Sequence, residues 1–246
     1  TAGATMPAVT VEARDEFNNL LPGVDVSISA SNGAALAGTL ITTTNGSGIA
    51  TFNNLSMTLA GINYTFTATT SGLAPLISNV FNITAGPVNN LAFTQEPPAS
   101  TVAGVNFASA VTVRDQYNNP VSGTPVAITT TNGTWLNGQL VITSASNGIA
   151  SFTPISITLV GNYALSATVG AISATSTTFA ITPGAPNNLV FVAQPQSITA
   201  GNTMAPITVR LRDQFNNLVL QSGIAVSVTT STQLNGTTTT NTDTSG

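Results

Sequence analysis

The residues best placed to do chemistry are three aspartates. Asp15, Asp115 and Asp213 each follow an arginine in one recurring phrase: "ARDEFNN" at 13–19, "VRDQYNN" at 113–119 and "LRDQFNN" at 211–217. A carboxylate in a polar turn invites a calcium reading. Calcium takes six to eight oxygens, usually from several carboxylates, and only the first copy has acids close by, in Glu12, Glu16 and Asp25. Paired carboxylates could instead hydrolyse glycosides, but the chain has only 8 acidic residues. The structural reading needs less. An Asp at the end of a strand accepts hydrogen bonds from the N–H groups of the turn that follows. The paired asparagines ending in Asn19, Asn119 and Asn217 tolerate left-handed backbone angles. The sequence therefore favours Asp15, Asp115 and Asp213 as turn residues, with calcium the competing use. The aromatics Phe17, Tyr117 and Phe215 are expected to fold back over the end of the core, and the arginines to sit on the outer face.

Composition removes most other chemistry. The chain has no Cys and no His, and its 4 basic residues are all Arg. Disulfides, thiol catalysis and Cys–His or Ser–His–Asp sets are excluded, and so is the commonest transition-metal ligand. No phosphate-binding loop or dinucleotide fingerprint occurs. The expectation is a protein that is not an enzyme and takes no cofactor. Net charge is −4 over 246 residues, and four scattered arginines cannot neutralise a phosphate backbone, so nucleic acid is not an expected partner. Apolar runs such as "LVFVA" at 189–193 fall far short of the roughly 20 residues a membrane helix needs. Membrane insertion is not expected, and no secretory leader is recognisable at Thr1.

The aspartates lie 100 and then 98 residues apart, and other landmarks keep the stride. "NNLAF" at 89–93 returns as "NNLVF" at 187–191, and "TAG" at 1–3 as "VAG" at 102–104 and "TAG" at 199–201. "AGINYTFTAT" at 60–69 matches "VGNYALSAT" at 160–168, and "FNITAGPVNN" at 81–90 matches "FAITPGAPNN" at 179–188. Such self-similarity marks a repeat architecture. It gives three units: residues 1–85, lacking a first strand; 86–183, complete; and 184–246, stopping near the middle. The expectation is a window from a longer tandem array.

Inside a unit, apolar and polar residues alternate, as in half-buried strands. Val111 and Val113 alternate with Thr112 and Arg114, Val126 and Ile128 with Ala127 and Thr129, and Tyr163, Leu165, Ala167 and Val169 form one face. No helical period persists, and β-branched residues abound. The expected fold class is all-β: tandem antiparallel β-sandwiches of about seven strands per repeat. Tyr64 and Tyr163, each just after a Gly, stand where a tyrosine corner bonds its hydroxyl back to the backbone. Pro87, Pro183 and Pro186 stiffen the junctions.

The phrase "V-x-V-R-D-Q-[YF]-N-N", followed by "G-x-x-V", "L-x-G", "G-x-A-x-F" and "G-x-Y-x-L-x-A", resembles the bacterial immunoglobulin-like repeats of large surface proteins, including the invasin/intimin type of adhesin stalk. The resemblance covers essentially the whole chain. It implies an immunoglobulin-like sandwich, an extracellular or cell-surface location and a spacer or adhesive role, with no catalytic residues. Family members commonly carry D-x-x-G-N where this chain has D-x-[FY]-N-N.

The expected function is structural or adhesive: a semi-rigid stalk, or the subunit of a surface filament. Its partners would be neighbouring repeats or further copies of the chain, because low charge leaves strand edges poorly guarded. A glycan-binding module and the spacer of an extracellular enzyme are the alternatives. Trp135 is the one aromatic outside the repeat, its counterparts being Ala35 and Gln233. It is read as a local cover over the sandwich edge, with a sugar or protein contact as its functional alternative.

Overall fold

The computed structural model describes residues 1–231 and 234–245. Gln233 lies outside the described residues. Residues 1–85 carry β1 (Val9–Glu12), β2 (Asp25–Ala30), β3 (Ile41–Thr43), β4 (Ile49–Phe52), β5 (Gly61–Tyr64), β6 (Phe66–Thr69), β7 (Leu76–Ile77) and β8 (Phe81–Ile83). Residues 86–183 carry β9 (Asn90–Gln95), β10 (Ser100–Val102), β11 (Phe107–Arg114), β12 (Pro125–Thr130), β13 (Asn137–Gly138), β14 (Val141–Thr143), β15 (Ile149–Ser156), β16 (Gly161–Tyr163), β17 (Leu165–Val169), β18 (Ile172–Thr175) and β19 (Phe179–Thr182). Beyond them come β20 (Asn188–Ala193), β21 (Thr208–Arg212), β22 (Ala225–Ser227) and β23 (Thr239–Asn241). Among the described residues the only helical element is one 3-10 turn, Ser31–Gly33. No helix among them is long and apolar enough to cross a membrane.

The middle stretch is a sandwich. One sheet has the order β13-β15-β11-β9 and the facing sheet the order β14-β12-β17-β18. A third sheet has the order β10-β19-β16, with β10 parallel to β19 and β16 antiparallel to it. The strands are shorter and more numerous than about seven because the chain changes sheets. The run Tyr163–Val169 alternates without a break, yet it divides at Ala164: β16 pairs with β19 and β17 with β12. Period-two patterning fixes which face a residue takes, not which neighbour its backbone bonds.

Alternation sets the core. Val126 and Ile128 of β12, Phe152 of β15, Leu165 and Ala167 of β17 and Phe179 of β19 are buried together with Val111 and Val113. Each large side chain contributes about 1.5–3 kcal/mol on burial, against which the ordering of the backbone weighs heavily. Residues 2–83 form their own cluster around Val26, Ile28, Phe52, Met57, Phe66 and Ile83. Its sheets are β3-β2-β6-β7, β1-β4 and β5-β8. In the third stretch β20 pairs with β21 and β22 with β23.

Candidate functional site: the repeated turn as a latch

The three Arg-Asp phrases fold into one turn. In each, the Asp N–H donates to the carbonyl of the second Asn, and the first Asn N–H donates back to the Asp carbonyl, all at 3.0 Å. This closure needs a left-handed residue, and Asn18, Asn118 and Asn216 supply it at φ 69°, 66° and 68°. Asn reaches that region at lower cost than most residues. The arginines do not stand idle on the outer face. Arg14, Arg114 and Arg212 each donate from Nη1 to the carbonyl of that left-handed Asn, at 2.7, 2.8 and 2.6 Å. Arg14 also pairs with Glu12.

The carboxylate organises the rest. Oδ1 of Asp115 accepts the N–H groups of Tyr117 at 2.8 Å and Asn119 at 2.9 Å. Oδ2 accepts Nδ2 of Asn119 and the N–H of Gly86, both at 2.8 Å. Asp213 repeats the set with Phe215, Asn217 and Gly184. Both are buried, at 2% and 0% exposed. Burial pushes their pKa up, but the hydrogen bonds from the Asn side chain, the Gly N–H and the turn outweigh it and hold both below the ordinary value. In Asp15 the Asn19 side chain leads the lowering. These donors are N–H groups, which cannot ligate a cation. In this structure the carboxylates of Asp15, Asp115 and Asp213 are engaged by such donors, and no group of three or more acidic side chains that could hold a metal ion occurs among the described residues.

The second Asn reaches across to the preceding stretch. Asn119 donates from Nδ2 to the Thr58 carbonyl at 2.8 Å, and its Oδ1 accepts the Ala60 N–H at 2.8 Å. Asn217 does the same to Thr158 at 2.8 Å and Val160 at 3.1 Å. Between those two backbone groups lies the carbonyl that the tyrosine holds. The Tyr163 hydroxyl donates to Leu159 at 2.9 Å, and that of Tyr64 to Leu59 at 3.4 Å. The tyrosine thus shapes the loop that the next turn grips.

The aromatic of the phrase crosses the same joint, which corrects the expectation that it folds back over its own core. A Cβ on Gly3 would lie 2.1 Å from the Tyr117 hydroxyl, and one on Gly104 would lie 2.3 Å from Cζ of Phe215. The rings therefore rest on bare glycine backbone, itself left-handed at φ 76° and 77°. Only glycine meets both conditions at low cost. Phe17, in the first copy, meets no glycine among the described residues in this way and is 77% exposed. Around it Asp15 and Asn19 keep the turn's internal bonds.

Sequence reasoning placed the turn but missed its receiver. Gly3 and Gly104 recur in "TAG" and "VAG", and Gly86 and Gly184 in the linkers, so the signal was present as unexplained repeated glycines. Thr58, Ala60, Thr158 and Val160 act through their backbone and carry no signal. Trp135 is 78% exposed, its indole N–H bonded to Oδ1 of Asn137 at 3.1 Å.

No family model matches the chain, and no curated protein does. Solved structures do. Yersinia pseudotuberculosis InvD is similar over 96% of this chain and 73% of its own, at 16% identity and a TM-score of 0.51. FdeC, an Escherichia coli adhesin, is similar over 91% of this chain and 76% of its own, at 18% identity and a TM-score of 0.55. The class of fold is thereby defined: an all-β chain of immunoglobulin-like sandwiches. At these identities the likeness is one of fold.

Proposed function

We propose that this chain is a run of tandem sandwich units, at residues 1–85, 86–183 and 184–246, that serves as a semi-rigid stalk in a structural or adhesive protein at the bacterial cell surface. The observation that carries the reading is the latch made twice. Asn119 and Asn217 each clamp a backbone carbonyl and N–H of the preceding unit. Asp115 and Asp213 tie the linker glycine to the same turn. A joint with buried, directional bonds and an aromatic seated on glycine holds one angle, whereas a Gly/Ser linker samples many. The fold shared with adhesin domains supports the surface role, and the absence of His and Cys supports a mechanical rather than a catalytic one.

Small-angle scattering of the whole chain tests the reading. The expected result is a narrow, elongated particle that becomes flexible when Asn119 and Asn217 are both changed to Ala. A wild-type chain already as flexible as that variant would overturn it.

A second reading has its own observation. Trp135 presents an exposed indole on a loop, a surface suited to stacking on a sugar ring. Retention on immobilised glycans that is lost in Trp135→Ala would support this use. No retention by the wild type would remove it.

A further inference from the structure

Trp135 is held out in water by a loop that is otherwise fastened down. Thr131 donates its N–H to the Ala164 carbonyl at 2.9 Å, and the Thr130 hydroxyl donates to the Thr134 carbonyl at 2.6 Å. The Thr134 N–H donates to Oδ1 of Asn132 at 3.2 Å. On the other side of the indole, Leu136 is buried and Asn137 sits in β13, opposite Ser156 of β15. Asn137 fixes the ring as well. Its Oδ1 accepts the indole N–H, and its Nδ2 donates to the Ser156 carbonyl at 3.3 Å. The one donor of the indole is thus satisfied within the protein, while the residue stays largely open to solvent. Ala35 stands at the same place in residues 1–85, so the sandwich needs no aromatic there.

The surroundings select the occupant. The other exposed residues of 131–139 are Thr131, Asn132, Gly133, Gly138 and Gln139, all polar or glycine. A protein interface surrounds its Trp anchor with further apolar surface, and this loop offers none. A ring rimmed by amides and hydroxyls complements a pyranose, whose C–H face stacks on the indole and whose hydroxyls bond to the rim. Charge narrows the choice further. No Asp, Glu, Lys or Arg occurs from residue 116 to residue 209. Glu96 follows β9, at the opposite edge of the sheet β13-β15-β11-β9 from β13. Across the joint, Asp213 is buried and Arg212 donates within its own turn. An acidic sugar would find no cation in this loop, whereas an uncharged one needs none.

We propose that Trp135 and Asn132, with the ring set by Asn137, form a subsite for one uncharged pyranose unit of a neutral polysaccharide. Trp135 supplies the stacking face. Asn132, its Oδ1 held by Thr134, offers Nδ2 to a sugar hydroxyl. Asn137 is a positioning residue that acts through the indole. The inference rests on the glycan reading of Trp135 and adds the class of sugar.

Trp135 is the only tryptophan of the chain, so its fluorescence reads this site alone. The test titrates the full chain with a panel of neutral oligosaccharides (glucose, mannose, galactose, xylose and N-acetylglucosamine oligomers) and with acidic ones (galacturonate, sialylated and sulfated oligomers). The expected result is a blue shift of the emission with a neutral oligomer and none with the acidic ones. Binding should be the same at about 50 and about 500 mM NaCl, since no ion pair takes part. By affinity electrophoresis on the polysaccharide that binds, Trp135→Ala should weaken retention by about tenfold or more, and Trp135→Phe should keep part of it. Asn137→Ala should lower the anisotropy of the Trp135 emission and weaken binding severalfold. Each substitution is at a loop or edge position, and circular dichroism of the variants checks the fold. Binding confined to acidic oligomers would overturn the class of sugar and leave the glycan reading standing. No response to any glycan would remove both. A blue shift that grows with protein concentration without sugar would assign Trp135 to a protein contact and overturn the proposal. So would retention undiminished in Trp135→Ala, or wild-type binding in Asn137→Ala.

Discussion

Replacing Asn119 with Ala removes a side chain that is 2% exposed and makes three hydrogen bonds. One stays within the turn, to Asp115, and two cross to Thr58 and Ala60. At about 1 kcal/mol net for each bond, the loss is roughly 3 kcal/mol, of which about 2 kcal/mol belongs to the joint. Asn19 is the built-in control. Its side chain occupies the same place in the same turn, yet among the described residues it donates to Asp15 alone, at 3.0 Å. Asn19→Ala should therefore cost only about 1 kcal/mol. Denaturant unfolding of the full chain, followed together with the distance between labels in residues 1–85 and 86–183, separates the two effects. Asn119→Ala should widen the distance distribution and lower the unfolding midpoint, while Asn19→Ala should leave the distances unchanged. Equal effects from the two substitutions would refute the latch and return both asparagines to a role in the turn alone.

Gly104→Ala should be more damaging than Gly123→Ala. Both glycines are left-handed, at φ 77° and 71°, so both substitutions carry a strain of about 1 kcal/mol. Only at Gly104 does the new methyl meet a ring, that of Phe215, and calorimetry should show the larger loss there. Acid should loosen the joints. Because the folded pKa of Asp115 and Asp213 is lowered, their contribution is complete above the ordinary value of 3.8 and is lost as pH falls through the lower folded value. Scattering should show flexibility appearing only below that ordinary value. Onset at neutral pH would contradict the assignment. Tyr163→Phe should cost about 1 kcal/mol, and Tyr64→Phe less, since their hydroxyl bonds are 2.9 and 3.4 Å long. Thermal melts of the two variants give the comparison.

The sequence by itself determined the class of fold. Val126, Ile128, Leu165 and Ala167 had to face one way because strand side chains alternate, and no helical period competed. The repeat of "RD-x-[FY]-NN" located one turn three times, and the left-handed Asn followed from its chemistry. The spacing could not show that Asn119 and Asn217 look outward rather than into their own unit. A hydrogen bond to Thr58 or Ala60 is made with backbone, which every residue possesses, so no side chain advertises it. Nor could the pattern say that Tyr117 and Phe215 seat on Gly3 and Gly104. That contact joins residues 114 and 111 positions apart, and only packing brings them together.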